Sequence, residues 1–352
     1  MLDSEDSRYF ELGLRSSASF ISPQVAWTKA SSPEKKLICI RCLGANLKFL
    51  KILDLSKCQL PEFPLEICAL AHLEELYLGQ NQIRNIPPEI TQLQALKILD
   101  LSDNQIQEAP DFLGELQNLE GLNLEKNYLT KVSPQMGLLT GLKSLSFAHN
   151  PELIRLPDSL GQLAQLRKLE VFFCQLGALP ASLKALRALE ILGIDGNPLQ
   201  EIPSYFGNYQ KLRILTFNAT PIRQLPPAIG TLKHLDILSF SSTLVEEIPH
   251  FIGNLRKLRI LRAYNSPIRK ISPWIIQLKE LKELYLGKNQ LEELPPQIGQ
   301  LEALEELYLS NNKIRLIPKE LGNLRHLKEL HLNSNQIQFL PDSFARLASL
   351  KT

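Results

Sequence analysis

Apolar residues recur along this chain with a period of 23. From Leu50 to Ser349 the sequence runs as thirteen units, twelve of 23 residues and one of 24, on the template L-x-x-L-x-L-x-x-N-x-L-x-x-L-P-x-x-I-G-x-L-x-x. The second unit is a clean copy, with Leu73, Leu76, Leu78, Asn81, Ile83, Ile86, Pro87, Ile90 and Leu93 in their places. The opening L-x-x-L-x-L alternates apolar and polar, the period of a half-buried strand. Its leucines point inward, and the residues at positions 2, 3, 5, 7 and 8 point outward. A turn follows at position 9. The L-P-x-x-I-G-x-L half returns on the other side as a short helical or 3-10 turn, because proline suits the first turn of a helix. A fixed period in this range predicts a solenoid in which each unit stacks only on its neighbours. The fold class is therefore α/β, an arc or horseshoe with a concave parallel sheet of thirteen strands and convex short turns.

Position 9 holds Asn in eight units, at 81, 104, 127, 150, 197, 289, 312 and 335, and Cys58, Cys174, Thr220, Thr243 and Ser266 in the others. An Asn amide both donates and accepts, so stacked units should form a ladder of satisfied amides in the interior. Proline occupies position 15 in eleven units, with Ser133 and Ser272 in the remaining two. The predicted organisation is an extension over 1–36, a degenerate half-unit cap over 37–49, the repeats over 50–349, and the start of a further unit at 350–352. Leu350 would begin that unit, which leaves an open strand edge around Glu329–Asn333. Self-association through that end is an expectation.

Charge and composition narrow the function. Lys and Arg number 39 against 37 Asp and Glu, a net charge of +2. That balance gives no global pull toward nucleic acid, and neither nucleic acid nor membrane insertion is expected. The start, Met1-Leu2-Asp3-Ser4-Glu5-Asp6, is acidic and unlike a secretory signal. The five cysteines, at 39, 42, 58, 68 and 174, are odd in number and absent from the C-terminal half. A reducing compartment is the expectation: the cytoplasm, or a host cytosol into which the chain is delivered.

This template resembles the leucine-rich repeat superfamily, and its second half resembles the 23-residue cytosolic subclass. That subclass includes Ras-pathway scaffolds, plant intracellular Ras-group proteins, polarity scaffolds and bacterial repeat proteins. The stretch Leu212-Arg213-Ile214-Leu215 through Thr220-Pro221-Ile222 and Leu225-Pro226 is also similar to repeats of plant disease-resistance receptors. The resemblance implies a non-catalytic module that binds a partner protein, of signalling-scaffold, receptor or effector type. A small GTPase, a phosphatase or another signalling protein is the kind of partner it implies. The alternatives are a substrate-recognition arm of a larger enzyme, such as a ubiquitin ligase, and a self-assembling structural solenoid.

Position 3 carries Ile191, Ile214, Ile237 and Ile260 in four consecutive units. Phe172 and Phe173 precede this row, Tyr264 lies at its end, and Arg213, Arg259 and Arg262 flank it. An outward apolar stripe beside aromatic residues and arginines has the composition of an interaction hot spot, although strand propensity alone also favours isoleucine. A second patch comprises Glu283, Tyr285, Glu306, Tyr308, Glu329 and His331, either a site for a basic segment or a solvated charged face.

No catalytic residue, cofactor site or metal site is expected. Cys39-x-x-Cys42 lacks the second pair that a zinc site needs. Gly137–Ser144 departs from the phosphate-loop pattern and runs from turn into strand, the reverse of the required order. Asn218-Ala219-Thr220 matches a glycosylation sequon that would sit on the concave face.

Overall fold

The computed structural model describes residues 50–351, so the expected extension, the cap and the Cys39/Cys42 pair lie outside the described residues, as does Thr352. The described chain divides into two compact units, one ending at Leu189 and one beginning at Glu190.

The first unit carries β1 (Ile52–Asp54), β2 (Glu75–Tyr77), β3 (Ile98–Asp100), β5 (Gly121–Asn123), β7 (Ser144–Ser146) and β8 (Lys168–Glu170). These strands pair in parallel and in register, with Leu53 beside Leu76 and Leu99 beside Leu122. A minor parallel pair, β4 (Glu108–Ala109) with β6 (Lys131–Val132), lies after the turns of its two repeats. The second unit carries β9 (Ile191–Gly193), β10 (Ile214–Thr216), β11 (Ile237–Ser239), β12 (Ile260–Arg262), β13 (Glu283–Tyr285), β14 (Glu306–Tyr308) and β15 (Glu329–His331), again parallel and in register. Every return half in the described residues is a five-residue 3-10 turn, such as Pro88–Gln92 and Pro296–Gln300. Each strand is short because only three residues separate the incoming chain from the turn at position 9.

The core is the set of template leucines. Leu73, Leu76, Leu78, Ile83, Ile90 and Leu93 of the second repeat are all buried, and the same positions stay buried through the twelfth repeat, whereas Leu330, Leu332 and Ile337 of the thirteenth are half-buried. Asn104 shows how the interior satisfies the turn. Its Oδ1 accepts from the N–H of Ile83, 3.0 Å away in the preceding repeat. Its Nδ2 donates to the carbonyls of Leu78 and Leu101 at 2.9 and 3.1 Å. Asn81, Asn127, Asn289 and Asn312 repeat the pattern, so the position-6 carbonyls of Leu78, Leu101 and Leu286 each serve two amides. Where position 9 is Thr, the hydroxyl bonds its own repeat, as Thr220 does to Phe217 O at 2.7 Å, and Thr243 also meets Ser266 Oγ of the next repeat at 3.3 Å.

Two features of the template have a backbone cause. Position 8 is left-handed in all thirteen repeats, from Lys57 at φ 59° to Ser334 at φ 56°, and only Gly196 among them is glycine. That conformation reverses the chain tightly enough to bring position 9 inside. Position 19 is glycine in eight of the thirteen repeats, and most of these glycines lie tight against the next 3-10 turn. A Cβ on Gly299 would lie 2.0 Å from the carbonyl oxygen of Glu320 in the next turn.

Candidate functional site

The second unit sets the predicted isoleucine row in register. Ile191 lies beside Ile214, Ile214 beside Ile237, and Ile237 beside Ile260. Position 3 alternates with the buried leucine at position 4, so the row does stand on the outward side of the sheet. Its exposure is lower than the sequence pattern suggests. Ile191, Ile214 and Ile260 are half-buried, and Ile237 is 7% exposed. Three other expected contact residues are also buried: Phe172 at 8%, Arg262 at 5% and Tyr264 at 9%. Strands about 4.8 Å apart bring each outward side chain against its counterparts in neighbouring repeats. Phe172 meets His149 edge-on at 5.3 Å and Phe173 at 6.1 Å. The Arg262 guanidinium lies over the ring of Tyr285 at 5.0 Å and donates to Glu283 at 3.1 Å. Its Nη1 is buried and has no hydrogen-bond partner. Phe172 and Phe173 belong to the first unit, while the isoleucines, Arg213, Arg259, Arg262 and Tyr264 belong to the second.

Beside the row runs a polar ladder that the sequence reading did not anticipate. At position 7, Asp195 Oδ1 accepts from the N–H of Asn218 at 2.8 Å, Asn218 Oδ1 from that of Ser241 at 2.7 Å, and Ser241 Oγ from that of Tyr264 at 3.1 Å. At position 5, Thr216 donates to Asp195, and Ser239 donates to Asn218 at 2.7 Å. The ladder fixes the face without solvent. It also engages the Asn218 side chain at both ends, since Nδ2 donates to Asp195. Glycosylation of the sequon would have to place a glycan on this buried amide nitrogen, which bonds Asp195.

Burial raises the Asp195 carboxyl above its ordinary value, the opposing hydrogen bonds notwithstanding. A raised acid favours the protonated state in the fold. Its stabilising contribution is therefore present below the unfolded carboxylate value and is lost as pH rises through the folded one. Asp195→Asn keeps an acceptor for Asn218 and supplies a donor to Thr216. The variant should melt higher than the parent at pH 8, with the difference shrinking toward pH 3, as followed by thermal melts across that range. A gap that widens on acidification would contradict the sign.

The second patch is an aromatic stack. Tyr285 and Tyr308 lie 4.5 Å apart at 14°, and Tyr308 and His331 lie 4.4 Å apart at 7°. Tyr285 donates to Glu306 at 2.7 Å and Tyr308 to Glu329 at 2.6 Å. Burial raises the Glu283 carboxyl above its ordinary range, although Arg262 works against the shift. The patch is thus an ordered, partly buried array whose tyrosines engage its carboxylates.

A third column, also missed, lies at position 2. In the first unit Lys51, Glu74 and Lys97 alternate in sign, with Glu74 bonded to both lysines at 2.7 and 2.5 Å. Hydrogen bonds from Lys51 and then Lys97 pull its carboxyl down to about 2. Lys143 pairs with Glu120 at 2.8 Å. In the second unit Asp236 lies between Arg213 at 3.6 Å and Arg259 at 3.8 Å. Glu305 lies between Lys282, at 2.7 Å, and Lys328. The signal was available, since the residues at position 2 alternate when read down the stack.

Nothing among the described residues assembles a metal-binding cluster, and no described helix is long and apolar enough to cross a membrane. The phosphate-loop lookalike runs from the 3-10 turn Pro134–Leu138 into β7, and Gly137 is there because a Cβ would lie 2.5 Å from Ser159 O. Cys68 and Cys174 are buried thiols, and burial pushes each up to about 11.

The family model described as leucine-rich repeat region matches residues 35–201 and 182–286, and that of leucine rich repeat matches 279–337 and 302–352. Comparison with curated proteins gives no match. Among solved structures, a leucine-rich repeat protein of Leptospira interrogans is 30% identical, with a TM-score of 0.73 over 88% of this chain and 91% of that one. The plant peptide hormone receptor RGFR1, solved in complex with RGF2, is also 30% identical, with a TM-score of 0.76 over 86% of this chain and 51% of the receptor chain. An internalin, inlF, of Listeria monocytogenes shares the fold at 22% identity, with a TM-score of 0.80 over 92% and 98% of the two chains.

Proposed function

The chain belongs to the leucine-rich repeat family, and from that premise we propose that it is a non-catalytic module that binds another protein on the outward face of its strands, centred on the isoleucine row of the second unit. One observation carries the reading. Ile191, Ile214, Ile237 and Ile260 stand in register on adjacent strands of the second unit. The face is held by backbone pairing and by the position-7 ladder before any partner arrives. Binding therefore costs little ordering entropy. The solved complex of RGFR1 with RGF2 supports a protein or peptide ligand for this type of surface. A signalling or scaffold role in a reducing compartment fits the odd cysteine count and the buried thiols.

The test is affinity capture from native lysate with the full chain and with Ile214→Asp/Ile260→Asp. Both positions are half-buried rather than sealed, so the far-UV spectrum should persist. The variant is expected to lose the partner, with at least a tenfold drop in recovery, since two charges in an apolar contact cost about 3 kcal/mol or more. Equal recovery by parent and variant would remove the isoleucine row from the interface.

A further inference from the structure

We infer that the side of the second unit next to the isoleucine row is a docking strip for an acidic polypeptide segment of the partner, an inference that rests on the protein-binding reading above. The residues that lead into β10, β11, β12 and β13 occupy 210–213, 233–236, 256–259 and 279–282. These sixteen positions hold eight lysines and arginines against only Asp236 and Glu280. The equivalent positions of the first unit, 71–74, 94–97, 117–120 and 140–143, hold two lysines and two glutamates. The excess is local, in a chain whose net charge is only +2.

The geometry keeps the charge available. Lys211, Arg213, Lys233, Arg256, Lys257 and Arg259 are all exposed. Of these, Lys211, Arg213, Lys257 and Arg259 line a groove of about 440 Å³, together with His234 and the acids Glu190, Asp236 and Glu280. Asp236 is the one acid between Arg213 and Arg259, and it sits 3.6 and 3.8 Å from them, beyond hydrogen-bonding range. The Lys257 ammonium has only the ring nitrogen of His234 nearby, at 3.5 Å. Glu74 and Glu305, by contrast, each bond two lysines closely. Each of these triads has two cations to one acid, and the surplus here comes from the additional Lys211, Lys233, Arg256 and Lys257.

The neighbouring row decides what kind of anion fits. Position 2 adjoins position 3, so Arg213 and Arg259 flank Ile214 and Ile260 directly. Four strands span about 14 Å, the length of four or five extended residues. A segment that alternates carboxylates with apolar side chains meets both rows at once. A nucleic-acid backbone meets only the charges and leaves the isoleucine row uncovered. The strip therefore matches acidic and apolar polypeptide better than phosphate polymer.

The experiment measures fluorescence anisotropy of a labelled twelve-residue peptide of repeating Glu-Glu-Leu against the full chain. Parallel arms use single-stranded oligothymidylate and phosphatidylserine-containing vesicles. Binding of the peptide at low salt should weaken about tenfold or more between 20 and 200 mM NaCl. Lys211→Glu/Lys257→Glu/Arg259→Glu should abolish it, and the milder Lys211→Gln/Lys257→Gln/Arg259→Gln should weaken it. Lys51→Glu/Lys97→Glu/Lys143→Glu, the same charge change in the first unit, should leave it within about twofold. No peptide binding, equal loss in both triple-Glu variants, or equal or tighter binding of oligothymidylate or vesicles overturns the inference. Peptide binding that is lost only with the strip, while lysate capture ignores Ile214 and Ile260, would uphold the strip and defeat the isoleucine interface.

Discussion

Asn104→Leu should destabilise the chain by about 2–3 kcal/mol, because a buried N–H loses its acceptor and cannot reach water. That N–H is Ile83, which donates to Asn104 Oδ1 across the repeat boundary. The carbonyls of Leu78 and Leu101 lose one amide each, but Leu78 keeps Asn81 and Leu101 keeps Asn127. The orphaned donor therefore dominates the cost. Asn104→Thr should cost less, since a threonine hydroxyl at this position bonds its own repeat, as Thr220 and Thr243 do at 2.7 and 2.9 Å. Urea unfolding of the parent and both variants checks the order. An unchanged midpoint for Asn104→Leu would mean that the amide ladder contributes nothing to the stacking of repeats.

Gly299→Ala should be comparably damaging, at about 3 kcal/mol, because one added carbon forces two backbones apart. The Cβ would fall 2.0 Å from Glu320 O and 2.5 Å from its carbonyl carbon, and neither is the movable end of a side chain. Gly177→Ala provides the contrast. A Cβ at Gly177 meets nothing within 4 Å, so that change should be neutral or slightly stabilising through the unfolded state. Thermal melts of the two variants should separate by many degrees. If they fell together, glycine at position 19 would have to be explained by something other than the contact between consecutive turns.

Much of this architecture is legible in the sequence because one period fixes both the strand and its partner. Leu76 is buried and Glu75 faces outward for reasons local to a three-residue strand, and Leu76 meets Leu53 because both occupy position 4. The degree of exposure is a different matter. Arg262 carries the composition of an accessible contact residue, yet the Tyr285 ring, one repeat away, covers it. The burial of Ile237, Phe172 and Tyr264 likewise depends on neighbours on adjacent strands. The left-handed backbone at position 8 escapes sequence reading because its occupants, among them Lys57, His149 and Phe173, share no chemistry. The Asp195–Asn218–Ser241 ladder escapes it because each bond joins residues 23 apart through a backbone N–H. The charged column at position 2 was readable, and reading one outward column in isolation hid it.

That column carries a parity. Where signs alternate from repeat to repeat, excising one repeat brings two like charges together, whereas excising an adjacent pair restores the order. Lys51–Glu74–Lys97–Glu120–Lys143 obeys this rule over five repeats, and it breaks where Lys143 is followed by Arg167, across the one repeat of 24 residues, and again where Arg259 is followed by Lys282. Within those five repeats, the smallest internal length of chain that can be removed without electrostatic frustration is therefore two repeats, not one.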